Sequence, residues 1–173
     1  AMGTLGGDLK RRERISARLG DILSMLYLTS AVLKRFNDEG RKADDLPLVQ
    51  WCCEDNLAKA QLALDELFDN FPNRIVGTVL KRVVFPWGRT LRKASDVTEH
   101  KVARIMQTPG EARSRLGHHL YLQNEPLNQL GRMEQALKDV LAAEPVFDKV
   151  SHAAGKRLPF YRLNEVADLG LEL

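Results

Sequence analysis

Hydrophobic residues recur every three or four positions along most of the chain, which is the spacing of α-helices with one buried face. The first such stretch, residues 9–36, predicts a helix on the order of 40 Å long at about 1.5 Å per residue. Gly40 favours an end near Asn37. The apolar stripe is wider than a coiled-coil seam, so we expect this helix to pack against more than one neighbour.

A second helical stretch follows after a short polar loop. Asp45 is a natural N-cap, and Pro47 is tolerated in the first turn of a helix. The pattern stops at Asn70-Phe71-Pro72, because the residue before a proline disfavours the α conformation. The short loop predicts two antiparallel neighbours, the first half of a helical bundle.

The rest of the chain predicts shorter helices. They are the region around residues 74–84, a helix that opens with the capping-box pattern Asp96-Val-Thr-Glu99, and helices over residues 111–117, 127–144, 147–154 and 163–171. Pro145 is expected to end the helix over residues 127–144. We therefore predict an all-α antiparallel helical bundle with two long N-terminal helices, in a single domain of residues 1–173.

The basic residues are unevenly distributed along the chain. Residues 70–95, here called the basic segment, contain six Lys/Arg and no Asp or Glu. The remaining 20 Lys/Arg are outnumbered by the 23 Asp/Glu, so the formal net charge of +3 arises entirely from this segment. The location of the charge is therefore more informative than its size.

The basic segment also has two faces when it is drawn as a helix. The basic and polar half of the wheel contains Arg74, Thr78, Lys81 and Arg82. The apolar half contains Ile75, Val76, Val79, Leu80, Val83 and Val84. Such a helix can lie on an acidic membrane surface. It can equally be a packed helix with a solvated rim, and the pattern leaves both interpretations open.

No residue pattern indicates an active site, a cofactor site or a metal site. Cys52 and Cys53 are adjacent and lack a second pair, which favours structural roles. His118 and His119 are neighbours, whose rings would diverge on a helix and could not share a metal. No apolar run approaches the roughly 18 residues that span a bilayer, so any membrane contact is expected to be peripheral.

Several long blocks of the sequence resemble one enzyme family. The blocks are KRRERISARLGDILSMLYLTSAVLKRFNDEG, DLPLVQW, FPNRIVG and FPWGR, in this order. They are similar to the C-terminal region of the FadE-type acyl-CoA dehydrogenases, the long bacterial enzymes of fatty-acid β-oxidation. The similarity runs from about residue 7 to beyond residue 163, which is nearly the whole chain.

The resemblance implies a longer parent flavoenzyme of which this chain is a non-catalytic, helical C-terminal piece. In that family FAD takes the hydride, a glutamate takes the α-proton, and an electron-transfer flavoprotein receives the electrons. The catalytic core lies N-terminal to this region, so no catalytic or flavin-binding residue is carried over. Residues 1–3 are expected to derive from an expression vector.

The resemblance also implies partners and a location. Beyond the catalytic core of the same polypeptide, they are a second copy in a homodimer and an anionic membrane surface. We expect the bacterial cytoplasm, with peripheral attachment to the inner membrane. The residues predicted to dock are Arg74, Lys81, Arg82, Phe85, Trp87, Arg89, Arg92 and Lys93.

Two other functions compete with membrane docking. The first is a purely structural role, in which the apolar half of the basic segment packs onto the bundle or onto the catalytic core. The second is nucleic-acid binding, which is least favoured. Aromatic residues make up only 6% of the chain and do not interleave with the arginines as a stacking platform would.

Overall fold

The computed structural model describes residues 6–123 and 125–153, and all regular structure in these two ranges is helical. The α-helices are α1 (Glu13–Asp38), α2 (Leu46–Asp69), α3 (Arg74–Val84), α4 (Asp96–Gln107), α5 (Glu111–Gly117) and α6 (Gln129–Ala153). Two 3-10 helices, Gly6–Arg11 and Ala43–Asp45, precede α1 and α2. The predicted all-α class, with two long N-terminal helices, is confirmed for this part of the chain.

The chain divides into two compact units, Ala1–Arg115 and Leu116–Leu173. In the first unit α2 is the central element, and α1, α3 and α4 all pack against it. Its core is a cluster of Ile15 from α1 with Leu67, Phe68 and Phe71 from the end of α2. The predicted stripe of α1 supplies part of the surrounding layer through Leu19 and Ile22.

The outer flank of α1 remains uncovered. Leu23 and Tyr27, which lie one turn apart, are both largely exposed. Within its unit, α1 packs along α2 and the first 3-10 helix. The wide apolar stripe seen in the sequence is therefore only partly buried by these neighbours.

Two predicted helix caps differ from the structure. Asp45 occupies the N-cap position of α2 but accepts no capping hydrogen bond. Its carboxylate instead accepts a hydrogen bond from Arg115 Nη2 at 2.7 Å. The cap of α4 is Ser95, whose hydroxyl accepts from the backbone N–H of Thr98, so the prediction of Asp96 was wrong by one residue. Asp96 is the first residue of the helix, where its charge still favours the N-terminal dipole.

The second unit contains α6, which begins after Asn128. The Asn128 side chain accepts a hydrogen bond from the N–H of Gly131. The prediction that Pro145 ends this helix was wrong, because α6 continues through it to Ala153. Proline removes one backbone donor, and two turns of helix on either side are enough to hold the conformation. The predicted helix over residues 163–171 lies outside the described residues.

Candidate functional site

The basic segment folds into α3 and the turn that follows it. Asn73 begins the helix, because its side-chain oxygen accepts hydrogen bonds from the N–H groups of Ile75 and Val76 at 3.1 and 3.2 Å. Val84 is its last residue, two positions before Pro86. The sequence prediction of a helix here, rather than a strand, is confirmed.

One side of α3 packs against α2. Val76, Leu80 and Phe85 join the core cluster. The rings of Phe85 and Phe68 meet edge to face, with centroids 6.0 Å apart. Gly77 lies on this side and is buried, which brings the backbones of the two elements close together.

The other apolar side of α3 faces outward. Ile75, Val79 and Val83 follow one another at intervals of four residues and are 78%, 56% and 71% exposed. We call these three residues the outer strip. Trp87 follows in the turn after the helix and is 89% exposed. The apolar half of the helical wheel is thus divided between a packed side and an exposed side.

Two of the predicted docking cations are held by carboxylates of α2. Lys81 Nζ lies 2.8 Å from Asp65 and 2.7 Å from Asp69. The hydrogen bonds to Asp65 and then Asp69 raise the pKa of Lys81. Arg89 Nε lies 3.7 Å from Asp65. These two side chains attach the basic segment to its own unit as well as adding positive charge.

The remaining four predicted cations are exposed, and none pairs with a carboxylate in the described part of the chain. They are Arg74, Arg82, Arg92 and Lys93. Of the two predicted aromatic anchors, Trp87 is exposed and Phe85 is packed in the core. Of the eight predicted residues, five are therefore free to meet an external surface.

Sequence reasoning did not distinguish the outer strip from the packed side of α3. The available signal was Gly77, since a residue without a side chain marks the side on which another backbone comes near. On the helical wheel Leu80 and Val76 lie about 60° and about 100° from Gly77, on the same side of it, whereas Ile75, Val79 and Val83 lie about 120–160° away. Gly77 marks the direction of close approach, but how much of the apolar half is packed depends on the position of α2.

The other candidate residues show no arrangement for chemistry. Burial raises the pKa of the Cys52 and Cys53 thiols, which makes them poor nucleophiles. The rings of His118 and His119, which follow the end of α5, do not diverge as expected: their centroids are 3.5 Å apart and their planes are tilted by 42°. Within residues 6–123 and 125–153, no three His, Cys, Asp or Glu side chains cluster as metal ligands would.

None of the helices that the structure describes combines the length and the apolar character needed to cross a bilayer.

Comparison with known proteins identifies the family. No solved structure matches the chain. The family model described as acyl-CoA dehydrogenase, C-terminal, bacterial type, matches residues 1–173, the whole of the sequence. This agrees with the resemblance carried by the four sequence blocks, two of which, FPNRIVG and FPWGR, form α3 and its turn. The chain therefore belongs to the family of C-terminal domains of bacterial-type acyl-CoA dehydrogenases.

Proposed function

We propose that this domain docks its acyl-CoA dehydrogenase on an anionic membrane surface through α3 and the turn that follows. The observation that carries the proposal is the outer strip, an exposed row of Ile75, Val79 and Val83, beside cations with no ion pair among the described residues. Single exposed apolar residues are ordinary on soluble proteins. A row at helical spacing, extended by an exposed Trp87, is a feature of helices that lie in a membrane interface.

The expected contributions of charge and apolar surface to the binding free energy favour reversible attachment to the membrane. Each Lys or Arg near an anionic leaflet contributes about 1 kcal/mol. Arg74, Arg82, Arg92 and Lys93 together would supply about 4 kcal/mol on that scale. Insertion of the outer strip adds an apolar contribution that salt does not screen. The electrostatic and the apolar contributions are both needed, because neither alone gives stable attachment.

The chemistry of the whole enzyme is proposed from family membership. The parent would use FAD to introduce an α,β double bond into a fatty acyl-CoA in β-oxidation and would pass electrons to an electron-transfer flavoprotein. The flavin and the catalytic glutamate would belong to the part of the polypeptide N-terminal to this domain. Docking at the inner face of the cytoplasmic membrane would place that core near long-chain substrates.

A second role, assembly, is favoured by a different surface. Leu23 and Tyr27 on the outer flank of α1 are exposed although they continue the apolar stripe of that helix. We propose that this flank packs against the catalytic core or against a second copy of the chain. The two roles use different helices, so one domain can perform both.

Vesicle cosedimentation tests the docking role. We expect the chain to bind liposomes that contain phosphatidylglycerol, not liposomes of pure phosphatidylcholine, and to be released by salt. Val79→Asp with Val83→Asp should abolish binding without unfolding the domain, since both side chains point to solvent. The matched control is Leu23→Asp with Tyr27→Asp, two exposed apolar residues one turn apart on α1. Equal binding by the wild type and the α3 double variant would refute docking through the outer strip.

A further inference from the structure

We propose that the turn formed by residues 85–88 is the centre of a binding site for one anionic amphiphile. The acidic headgroup would lie in a cation-lined pocket on one side of the turn. The alkyl chain would lie in an apolar groove on the other side. This inference rests on the proposed membrane role and names the lipid chemistry that the surface recognises.

The cation-lined pocket has a volume of about 420 Å³. It is lined by Lys81, Arg82 and Arg89 with a single carboxylate, Asp65. Lys81 is fully engaged by Asp65 and Asp69, whereas Arg89 makes only a long contact of 3.7 Å. Arg82 forms no ion pair with a described carboxylate. Arg82 and the loosely held Arg89 can therefore both turn to an anion, and their planar guanidinium groups match the oxygens of a phosphate.

The apolar groove has a volume of about 500 Å³, within the range of small-ligand sites. Its lining comes from three directions within the first unit. Ile22 and Leu26 of α1 form one side, Leu57 of α2 lies between, and Trp87 and Leu91 of the segment after α3 form the other side. A flexible alkyl chain suits a groove whose lining is mostly apolar.

The groove is held open by contacts at both ends of the turn. Phe85 is fixed by its packing on Phe68. The N–H of Leu91 donates a hydrogen bond of 2.8 Å to Oε1 of Gln61. Between them Gly88 has φ of +75°, a conformation that glycine adopts without strain. The site is therefore formed before a ligand arrives, which lowers the entropic cost of binding.

Gln61 is a buried polar residue in the wall of the groove. This residue lines the groove and is only 6% exposed. Its Nε2 atom is buried and has no hydrogen-bond partner in the part of the chain that the structure describes. A buried donor without an acceptor is costly. Because protein atoms enclose Nε2, a lipid in the groove would contact other atoms of the Gln61 side chain rather than this one.

One amphiphile accounts for the two cavities better than two separate ligands. Phe85, Pro86 and Gly88 line both the pocket and the groove, so the cavities are separated by the thickness of a single turn. Free phosphate would satisfy the pocket alone. A neutral hydrocarbon would satisfy the groove alone. Trp87 and Val84 border the groove near the outer strip, on the surface proposed to meet the membrane.

Monomeric short-chain lipids test the site without a membrane. We would titrate dihexanoyl-phosphatidylglycerol below its micelle concentration into the whole chain carrying Trp51→Phe. Trp87 is then the single remaining tryptophan and reports on the groove by its fluorescence. We expect saturable binding at least about tenfold tighter than that of dihexanoyl-phosphatidylcholine or inorganic phosphate, the effect of losing a charged hydrogen bond or the buried chain.

Matched variants assign the two halves of the site. Arg82→Gln should weaken lipid binding about tenfold, whereas Arg74→Gln, an exposed arginine of the same helix outside the pocket, should not. Leu26→Gln should weaken it to a similar extent, whereas Leu23→Gln, outside the groove, should not. All four side chains are exposed, so the fold is expected to survive each change.

The outcomes separate this site from membrane docking. Phosphate that binds as tightly as the lipid would overturn the proposal, because the groove would then contribute nothing. Failure of the lipid monomer to bind, with liposome binding intact, would overturn the site and leave docking standing. Binding of the monomer without liposome binding would refute docking and retain the site as a lipid-binding pocket.

Discussion

Gly77 lies where α3 comes nearest to the end of α2. A Cβ atom at this position would be 2.5 Å from the carbonyl oxygen of Phe68 and 2.9 Å from Cβ of Phe71. Neither atom belongs to a flexible side chain, so the contact could be relieved only by moving α3 away. A single glycine thus determines which side of α3 packs and which side is left to solvent.

We therefore predict that Gly77→Ala destabilises the first unit. Crowding costs about 1–3 kcal/mol, here near the upper value, and exceeds the roughly 1 kcal/mol that alanine gains over glycine in a helix. The net loss should be about 1–2 kcal/mol in the free energy of unfolding in urea.

Gly20, in the middle of α1, is the matched control. A Cβ there meets nothing within 4 Å. Gly20→Ala should therefore raise the free energy of unfolding by about 0.5–1 kcal/mol. If both substitutions stabilised the protein, the close contact at Gly77 would not exist in solution.

The individual charges of the basic segment show how far the sequence can be read at the level of residues. The sequence located all six cations and their concentration in one segment. It could not show that Lys81 and Arg89 are held by Asp65, because the carboxylate belongs to another helix and its position depends on packing. Similarly, Ser95 rather than Asp96 caps α4, since either residue has the required chemistry and only the backbone distinguishes them.

At the level of elements, α3 is attached to α2 by apolar packing and by the ion pairs of Lys81. The packing should contribute more. Lys81 retains 37% of its side-chain exposure, and ion pairs that solvent screens in this way contribute little to stability. Leu80 packs against the core cluster, where removal of a leucine side chain costs about 2 kcal/mol or more.

We predict that Leu80→Ala lowers the free energy of unfolding by about 2 kcal/mol. Lys81→Met, which keeps the length of the side chain, should lower it by less, because solvent screens the ion pairs. Urea unfolding followed by circular dichroism measures both. A larger loss for Lys81→Met than for Leu80→Ala would show that the ion pairs, not the apolar contacts, hold α3 in place.

The helices themselves were largely predictable because their pattern is local. The three- to four-residue spacing placed α1 to α5 within a few residues of their observed limits. The rule that failed was also local: Pro145 has a helix-breaking effect that the surrounding turns of α6 override. The division of the apolar half of α3 into a packed and an exposed side could not be predicted from the sequence, since it depends on the position of α2.

At the level of the whole molecule, the features that matter for function are concentrated in the first unit. The core cluster, the outer strip, the cation-lined pocket and the apolar groove all lie within residues 6–91. Family membership extends over the whole chain, however, and includes the second unit. Both proposed lipid-binding roles therefore use residues of the first unit alone.

We predict that a chain ending at Gly117, the last residue of α5, folds and retains both lipid-binding properties. It keeps the complete core cluster and each residue assigned to docking or to the amphiphile site. It should unfold cooperatively in urea, bind phosphatidylglycerol liposomes as the whole chain does, and bind dihexanoyl-phosphatidylglycerol with an affinity within about threefold, a difference of less than 1 kcal/mol. A truncated chain that folds but no longer binds either lipid would show that residues 118–173 form part of the membrane surface, and the assignment of docking to α3 alone would then be wrong.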